Sequence, residues 1–502
     1  MQSTAITLIS ARIAIQKGDF LGSGVPYWPI ELATLASFLR SRGDTVSVID
    51  ALGDGPADLE DKGDHYLQGR VLEKYRQDAR LTRAELVVIY AMSYMSHQDI
   101  LAICQKLKEW KPNTHIAILE NSQAVTAYSL PRLRTALFDA GADILICGEA
   151  YHNWDDIANY LKNIAPKPQN LIVKNDDAAL MPVRVIMKQR PRYPVPAWDL
   201  FTLKGYWHLP YAHGPKTKSF LPILTSRGCP YPCDFCVVPE TNNRRWRGNE
   251  PDHVADEIIT LRDRFGIRDF QLEDLNPTVD PRRFDALAHI LIERKAGVRL
   301  YIVSGTKAET VPIESLPLWA KAGLRYISIS PESGSTRLMK IIGKPFNYEH
   351  GAAVVAACHQ NSIRTQACFL VGHPSETQED YQLSKDYMVR LVQAGLDEVA
   401  IFVVAAFAGS KLYSNNSIEV VDKESMPSFS PKGRAGFESY ELRRKKLICT
   451  FFTERLKMGL GIWMQGIRAI FGIPQTKMEN LPRRILYIYW LIFRYKFRKA
   501  IG

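Results

Sequence analysis

The sequence is sparing with cysteine: eight occur in 502 residues, too few and too scattered for a disulfide framework. No apolar run reaches the roughly twenty residues a bilayer-spanning helix needs. The opening stretch MQSTAITLISARIAI lacks a basic region followed by an unbroken apolar core, because Arg12 interrupts the run. That reads against a secretory signal. Internal repeats and low-complexity blocks are absent, and no G-x-G-x-x-G follows the first apolar run, which removes the dinucleotide fingerprint. The expectation is a globular protein of a reducing, cytoplasmic compartment.

The length allows two or three domains and a large core. The net charge is +11, from 64 basic and 53 acidic residues, which admits nucleic acid, an anionic ligand or a membrane surface as partner. From Leu481 onward there are six basic residues and no acidic ones. No recognised RNA-binding module accompanies them, which leaves nucleic acid the weakest of the three.

Residues 1–165 alternate apolar β-rich runs with helical patterns. ITLISARIAI, TVSVIDA, ELVVIYAMS, HIAILEN and ADILICGEA read as strands; ELATLASFLRSRG and DILAICQKLKEWKP read as helices. The β runs are continuously apolar, as in a parallel sheet covered on both faces. The fold class is therefore α/β, beginning with a Rossmann-like doubly wound sheet whose ligand sits at the strands' carboxyl ends. Asp50, Ser93, Glu120, Asn121, Gly148 and Glu149 occupy such ends. Residues 166–215 read as a linker, irregular and rich in proline and charge from Pro166 to Trp198. Over 216–412 a second βα array follows, with SFLPILTSRGC, DFQLED, VRLYIVSG, YISISPES, RTQACFLVG and EVAIFVVAAF as strands. It reads as a partial (β/α)6 TIM-type barrel. Residues 413–502 form a helical, basic and aromatic C-terminal region.

Three of the eight cysteines fall together in TSRGCPYPCDFCVVPE, as Cys229, Cys233 and Cys236. Three buried thiols assembled by chance would favour a helix or strand over a loop holding Gly228, Pro230 and Pro232. A structural zinc site needs a fourth ligand, and His253 is the nearest candidate. Thiolates are the preferred ligands of iron–sulfur clusters, and three leave one iron of a cubane open to bind a further group. The other five, Cys104, Cys147, Cys358, Cys368 and Cys449, lie singly and read as buried thiols.

C-x3-C-x2-C with Phe235 before the last cysteine resembles the radical S-adenosylmethionine (SAM) superfamily. The resemblance implies a 4Fe-4S cluster on the trio and SAM on the open iron, cleaved by one electron to a 5′-deoxyadenosyl radical. It also implies an electron donor such as flavodoxin or ferredoxin. Later segments match the family in order. In QLEDLNPT, Glu273 and Asp274 stand where carboxylates meet the methionine amine. In SISPESGS, Ser330, Glu332 and Ser333 stand where ribose and carboxylate are contacted. In FLVGHPSET, Gly372 and Glu376 stand at the adenosyl segment, with Phe235 near the adenine. FAGSKLY departs from the usual P-G-T-x-L-Y by Ala408 and Ser410.

The order of domains resembles the cobalamin-binding subfamily over about residues 5–412. It places cobalamin at the strand ends of the first domain, near Asp50, Ser93, Glu120, Asn121, Gly148 and Glu149. The D-x-H-x-x-G cobalt-ligating motif is absent, as in that subfamily. The turn LENSQAV, Leu119–Val125, has no glycine where the family usually carries a G-G-x-H-A-like turn. The activity implied is cobalamin-dependent methylation of an unactivated carbon in a natural product, lipid or pigment. The alternatives are radical cyclisation, rearrangement or oxidation without functional cobalamin, and a non-catalytic membrane-associated scaffold. A methylthiotransferase would need extra clustered cysteines in the first domain. Residues 481–499 suit either a peripheral membrane contact or a helix covering the barrel with its arginines reaching outward.

Overall fold

The structure is a computed structural model describing residues 4–20, 22–124, 127–177, 181–184, 186, 192–419, 426–471 and 474–501. The first half contributes strands β1 (Ala5–Ser10), β2 (Ile13–Gln16), β3 (Thr45–Asp50), β4 (Leu59–Asp61), β5 (His65–Gln68), β6 (Leu86–Ala91), β7 (His115–Glu120), β8 (Ile144–Ile146) and β9 (Leu171–Val173). Six of them make one sheet in the order β3-β1-β6-β7-β8-β9. It is parallel except for the β8–β9 pair.

Every residue of β6 is buried, and successive side chains point to opposite faces. Val87 and Ile89 pack with Ile100, Leu107 and Leu137 of the helices His97–Trp110 and Leu130–Asp139. Val88 and Tyr90 pack with Leu32 and Leu35 of the helix Ile30–Ser41. Two covered faces explain why the strand sequences show no polar alternation.

Two expectations need correction. ITLISARIAI is not one strand. It breaks at Arg12, whose backbone N–H donates to Asp99 Oδ2 at 2.9 Å and whose Nη1 donates to Glu60 Oε2 at 2.6 Å. A buried guanidinium needs such partners, and reaching them turns the chain into a separate antiparallel sheet, β2-β5-β4. The linker is also less irregular than its composition suggests. Leu171–Val173 adds an antiparallel edge to the first sheet, and Leu203–His208 is a helix. Residues 178–180, 185 and 187–191 of the linker lie outside the described residues.

The second half contributes β10 (Phe220–Ile223), β11 (Ser226–Arg227), β12 (Arg247–Gly248), β13 (Asp269–Leu272), β14 (Arg299–Thr306), β15 (Leu324–Glu332), β16 (Arg364–Val371) and β17 (Glu398–Val403). β10, β13, β14, β15, β16 and β17 form a parallel sheet in chain order, while β11 and β12 pair antiparallel beside it. Helices such as Pro251–Phe265, Pro281–Glu293 and Tyr348–Gln360 connect the parallel strands.

One hydrophobic core runs through both halves. At the joint Trp28 stacks on Tyr206 with ring centroids 4.0 Å apart and meets Trp198 and Phe220 edge-on. The C-terminal region adds the helices Phe437–Lys457, Gly461–Phe471 and Leu481–Ile501. Among the described residues no helix is long and apolar enough to cross a membrane.

Candidate functional site

The carboxyl ends of both sheets meet at a cavity of about 300 Å³. The first half supplies Tyr90, Met92, Ser93, Asn121 and Gln123 to its wall; the second supplies Phe235, Glu273, Ser330, Glu332 and Cys368. Lys477 and Arg484 close it from the C-terminal region.

The cysteine loop leaves β11 through Gly228, whose φ is +77°. A Cβ here would lie 2.0 Å from the Arg245 carbonyl oxygen, so both the backbone angle and the space require glycine. The Gly228 N–H donates to Gln123 Oε1 at 3.0 Å, tying the loop to the first sheet. Asp234, between two of the cysteines, anchors it again. Its N–H donates to the Ile342 carbonyl at 3.0 Å, its carboxylate meets His373 Nε2 at 3.0 Å, and its carbonyl accepts from Leu412 N–H at 3.0 Å.

All three thiols are held above their usual range, chiefly by burial, with Cys233 pushed up to about 12. The Lys344 ammonium opposes that rise at each of them. The three are half-buried, and thiols of this kind become thiolates when a metal supplies the compensating charge. Among the described residues no group of three or more His, Cys, Asp or Glu side chains is arranged to hold a single metal ion. Three thiolates from one loop match the chemistry of an iron–sulfur cluster, which takes one thiolate per iron. His253 is no fourth ligand: its Nε2 lies 2.8 Å from the Tyr193 carbonyl oxygen.

The segments downstream divide. Glu273 lines the cavity, its Oε2 2.6 Å from His213 Nδ1. The neighbouring Asp274 is fully buried and accepts from Thr225 N–H, Thr225 Oγ1 and Ser226 Oγ at 3.0, 2.7 and 2.6 Å. It shapes the approach to the cysteine loop. Ser330 and Glu332 line the cavity and share Lys344, whose Nζ donates to them at 2.5 and 2.7 Å. Burial raises the Glu332 carboxyl, and Lys344 counters it. Ser333 stands apart, 2.8 Å from Ser384 Oγ. Gly372 and Glu376 also stand apart from the cavity wall. The Gly372 N–H donates to Glu376 Oε2 at 2.8 Å, and a Cβ on Gly372 would meet the Tyr440 ring at 2.8 Å.

At the first sheet, Ser93 and Asn121 reach the cavity. Glu120 instead takes Arg184 in a fork at 2.8 and 2.9 Å and accepts from Gly148 N–H at 3.0 Å. Glu149 is buried against Arg247 and His152. Burial pushes its carboxyl up, but the His152 bond and the arginine charges outweigh this and hold it below the usual range. Asp50 accepts from Tyr206 Oη at 3.0 Å, and burial pushes its carboxyl to about 7. In the turn after β7, Asn121 Nδ2 donates to the Met92 carbonyl at 2.6 Å, and Asn242 Nδ2 donates to the Ser122 carbonyl. Val125 lies outside the described residues. Through the Gln123 side chain and the Ser122 carbonyl the turn fastens the first sheet to the cysteine loop and the segment after it. The cavity wall on this side is apolar at Tyr90 and Met92, with amides at Asn121 and Gln123. That suits a flat apolar ring with an amide-bearing rim, as in cobalamin.

Several residues at the site escaped the sequence reading. Arg227 Nε donates to Glu31 Oε1 at 3.0 Å, and its guanidinium lies 3.4 Å from the Tyr193 ring centroid. With Arg247–Glu149 it forms a buried ionic seam between the halves. His213, Gln366 and Lys477 also line the site, Lys477 donating to the Val303 carbonyl at 3.0 Å. Their partners lie far away in sequence, so no local pattern marks them. Cys368 is half-buried on the cavity wall and Cys449 is exposed, correcting their reading as buried thiols; Cys104, Cys147 and Cys358 are buried.

Residues 223–388 match the Radical SAM superfamily. The chain is 23% identical over 431 residues to cytidylyl-2-hydroxyethylphosphonate methyltransferase of Streptomyces wedmorensis, covering 77% of each chain. It is 28% identical over 197 residues to the anaerobic magnesium-protoporphyrin IX monomethyl ester cyclase of Rubrivivax gelatinosus, covering 38% of this chain and 34% of that one. The fold resembles the cobalamin-dependent SAM radical enzyme OxsB with aqua-cobalamin bound: TM-score 0.65, 13% identity, 100% of this chain and 82% of that one. It also resembles the radical SAM methyltransferase TsrM of Kitasatospora setae with cobalamin and a 4Fe-4S cluster bound: TM-score 0.58, 17% identity, 82% and 77% covered. The segment that holds the cysteine loop, at the joint of two sheets, thus matches the radical S-adenosylmethionine superfamily, and the chain is similar in fold to cobalamin-dependent enzymes of that superfamily.

Proposed function

We propose that this protein is a radical SAM enzyme with a 4Fe-4S cluster and cobalamin, and that it methylates an unactivated carbon of a small molecule. The observation that carries the reading is the shared cavity. The expected cluster side (Phe235, Glu273, Ser330, Glu332) and the expected cobalamin side (Ser93, Asn121) face one volume. In such enzymes the cluster and SAM supply a radical that removes a hydrogen atom, and cobalamin carries the methyl group.

The chain's own residues then hold and orient. Cys229, Cys233 and Cys236 hold the cluster, with Lys344 balancing thiolate charge. Glu273, fixed by His213, accepts the cationic amine of SAM; carboxylates are the strong acceptors for such a group. Leu370, Ile401, Phe402 and Phe407 make part of the wall apolar and exclude water from the reacting carbon. We read the first sheet as a Rossmann-like cobalamin domain over 1–165 and the second as a partial (β/α)6 barrel over 216–412. The connection is 166–215 and a helical region occupies 413–502. A flavodoxin or ferredoxin supplies the electron.

The glycine-free turn favours a second reading, cyclisation, rearrangement or oxidation without cobalamin, because its Gln123 side chain and Ser122 carbonyl are already bonded to Gly228 and Asn242. Anaerobic reconstitution with methyl-labelled SAM separates the two. The proposal expects a bound corrin spectrum and a product heavier by one labelled methyl. Cluster assembly and SAM cleavage with no corrin bound would replace it with the second reading.

A further inference from the structure

The helix Gly461–Phe471 is mounted the reverse of a normal surface helix. Its polar side faces the protein. Gln465 Nε2 donates to the Asp397 carbonyl at 3.2 Å, and Arg468 forms an ion pair with Glu479 at 2.8 Å. Its apolar side faces outward: Trp463, Met464, Ile467, Ile470 and Phe471 recur at helical spacing, with Trp463 63% and Phe471 75% exposed. A solvated helix would do the opposite.

The last helix, Leu481–Ile501, repeats the theme. Ile488 and Leu491 are buried, while Leu486, Tyr489, Trp490, Phe493 and Phe497 form an exposed stripe on another face. Leu486 is 70% and Phe493 67% exposed. The two helices adjoin where Arg483 Nη2 donates to the Ile470 carbonyl at 3.1 Å. Soluble monomers rarely expose contiguous apolar surface of this kind without a partner for it.

The flanking charge says which partner. Apart from Arg484, which is buried and donates to the Ser23 carbonyl, the last helix carries Arg483, Arg494, Lys496, Arg498 and Lys499, and it has no acidic residue. Arg494 lies over the Trp490 ring at 5.4 Å. Tryptophan, tyrosine and cationic side chains around an aliphatic stripe match the interface of an anionic bilayer, where rings sit at headgroup depth and cations meet lipid phosphate.

We propose that these two helices form a membrane-docking surface that seats the protein on an anionic lipid bilayer without spanning it. This surface does not depend on the reaction the enzyme performs. It does border the site: Leu481 and Arg484, at the start of the last helix, form part of the cavity wall. Seating therefore brings that wall close to lipid.

The test is sedimentation of the full-length protein with phosphatidylcholine vesicles, with and without phosphatidylglycerol. Binding to the anionic vesicles, weakened by salt, is expected. Trp463→Ser/Phe471→Ser and Trp490→Ser/Phe493→Ser alter only exposed side chains, and each should abolish most binding. Lys496→Gln/Arg498→Gln/Lys499→Gln should weaken partitioning by about fivefold per charge at low salt. Wild-type protein that stays in the supernatant with both vesicles overturns the proposal, as does binding unchanged in both serine variants. If wild-type protein instead forms a dimer that the serine variants lose, and no vesicle binds, the surface belongs to a second copy of the chain.

Discussion

Gly228→Ala tests whether the cysteine loop is held by its packing against the Asn242–Arg245 turn. Two penalties act at this position. A left-handed φ of +77° costs an L-residue about 1–2 kcal/mol. The new Cβ would also lie 2.0 Å from the Arg245 carbonyl oxygen and 2.8 Å from Asn242 Oδ1, where real Cβ contacts start near 3.0 Å. Relief requires a shift of about 1 Å, and overpacking of this kind costs about 1–3 kcal/mol. The sum is about 2–5 kcal/mol, at the residue next to Cys229. Gly266→Ala is the control: its φ is +65° with nothing within 4 Å, so it carries the backbone penalty alone. Iron per chain after anaerobic reconstitution and the thermal midpoint of the apo protein are the readouts. Gly228→Ala should lose most of its iron and melt well below Gly266→Ala, which should keep its iron. Equal iron content and equal melting in the two variants would refute the packing argument.

Three further outcomes follow from the buried charges. Arg227→Met leaves Glu31 buried with only the Tyr151 hydroxyl, 3.0 Å away, and should cost about 3–5 kcal/mol in urea unfolding; adding Glu31→Gln should recover most of it. Asp50, pushed from 3.8 to about 7 by burial, holds its proton more tightly folded than unfolded. Its contribution is therefore fully present below about pH 4 and is lost as pH rises toward 7. Asp50→Asn should remove that slope and stabilise the apo protein above pH 7 by on the order of 4 kcal/mol, read from unfolding midpoints across pH. Glu273→Gln should weaken SAM binding about 10- to 100-fold with iron retained, whereas Asp274→Asn should lower the melting temperature first, since that carboxylate holds Thr225 and Ser226.

The sequence alone determined the alternation of apolar strands and helices, because burial on both sheet faces writes itself into continuous runs such as Leu86–Ala91. It also determined the cysteine loop, because the three thiols and the glycine and prolines that shape the turn lie within one short segment. Tertiary structure decided what depends on distance in the chain. Of the adjacent Glu273 and Asp274, only the former lines the cavity. Glu120 and Glu149, at strand ends that looked free to meet a ligand, are matched by Arg184 and Arg247 from later segments. Lys477 and Arg484 reach the cavity from the far end of the chain. A carboxylate at a strand end has the same local sequence whether a ligand or an arginine satisfies it, and only packing brings its partner within hydrogen-bond range.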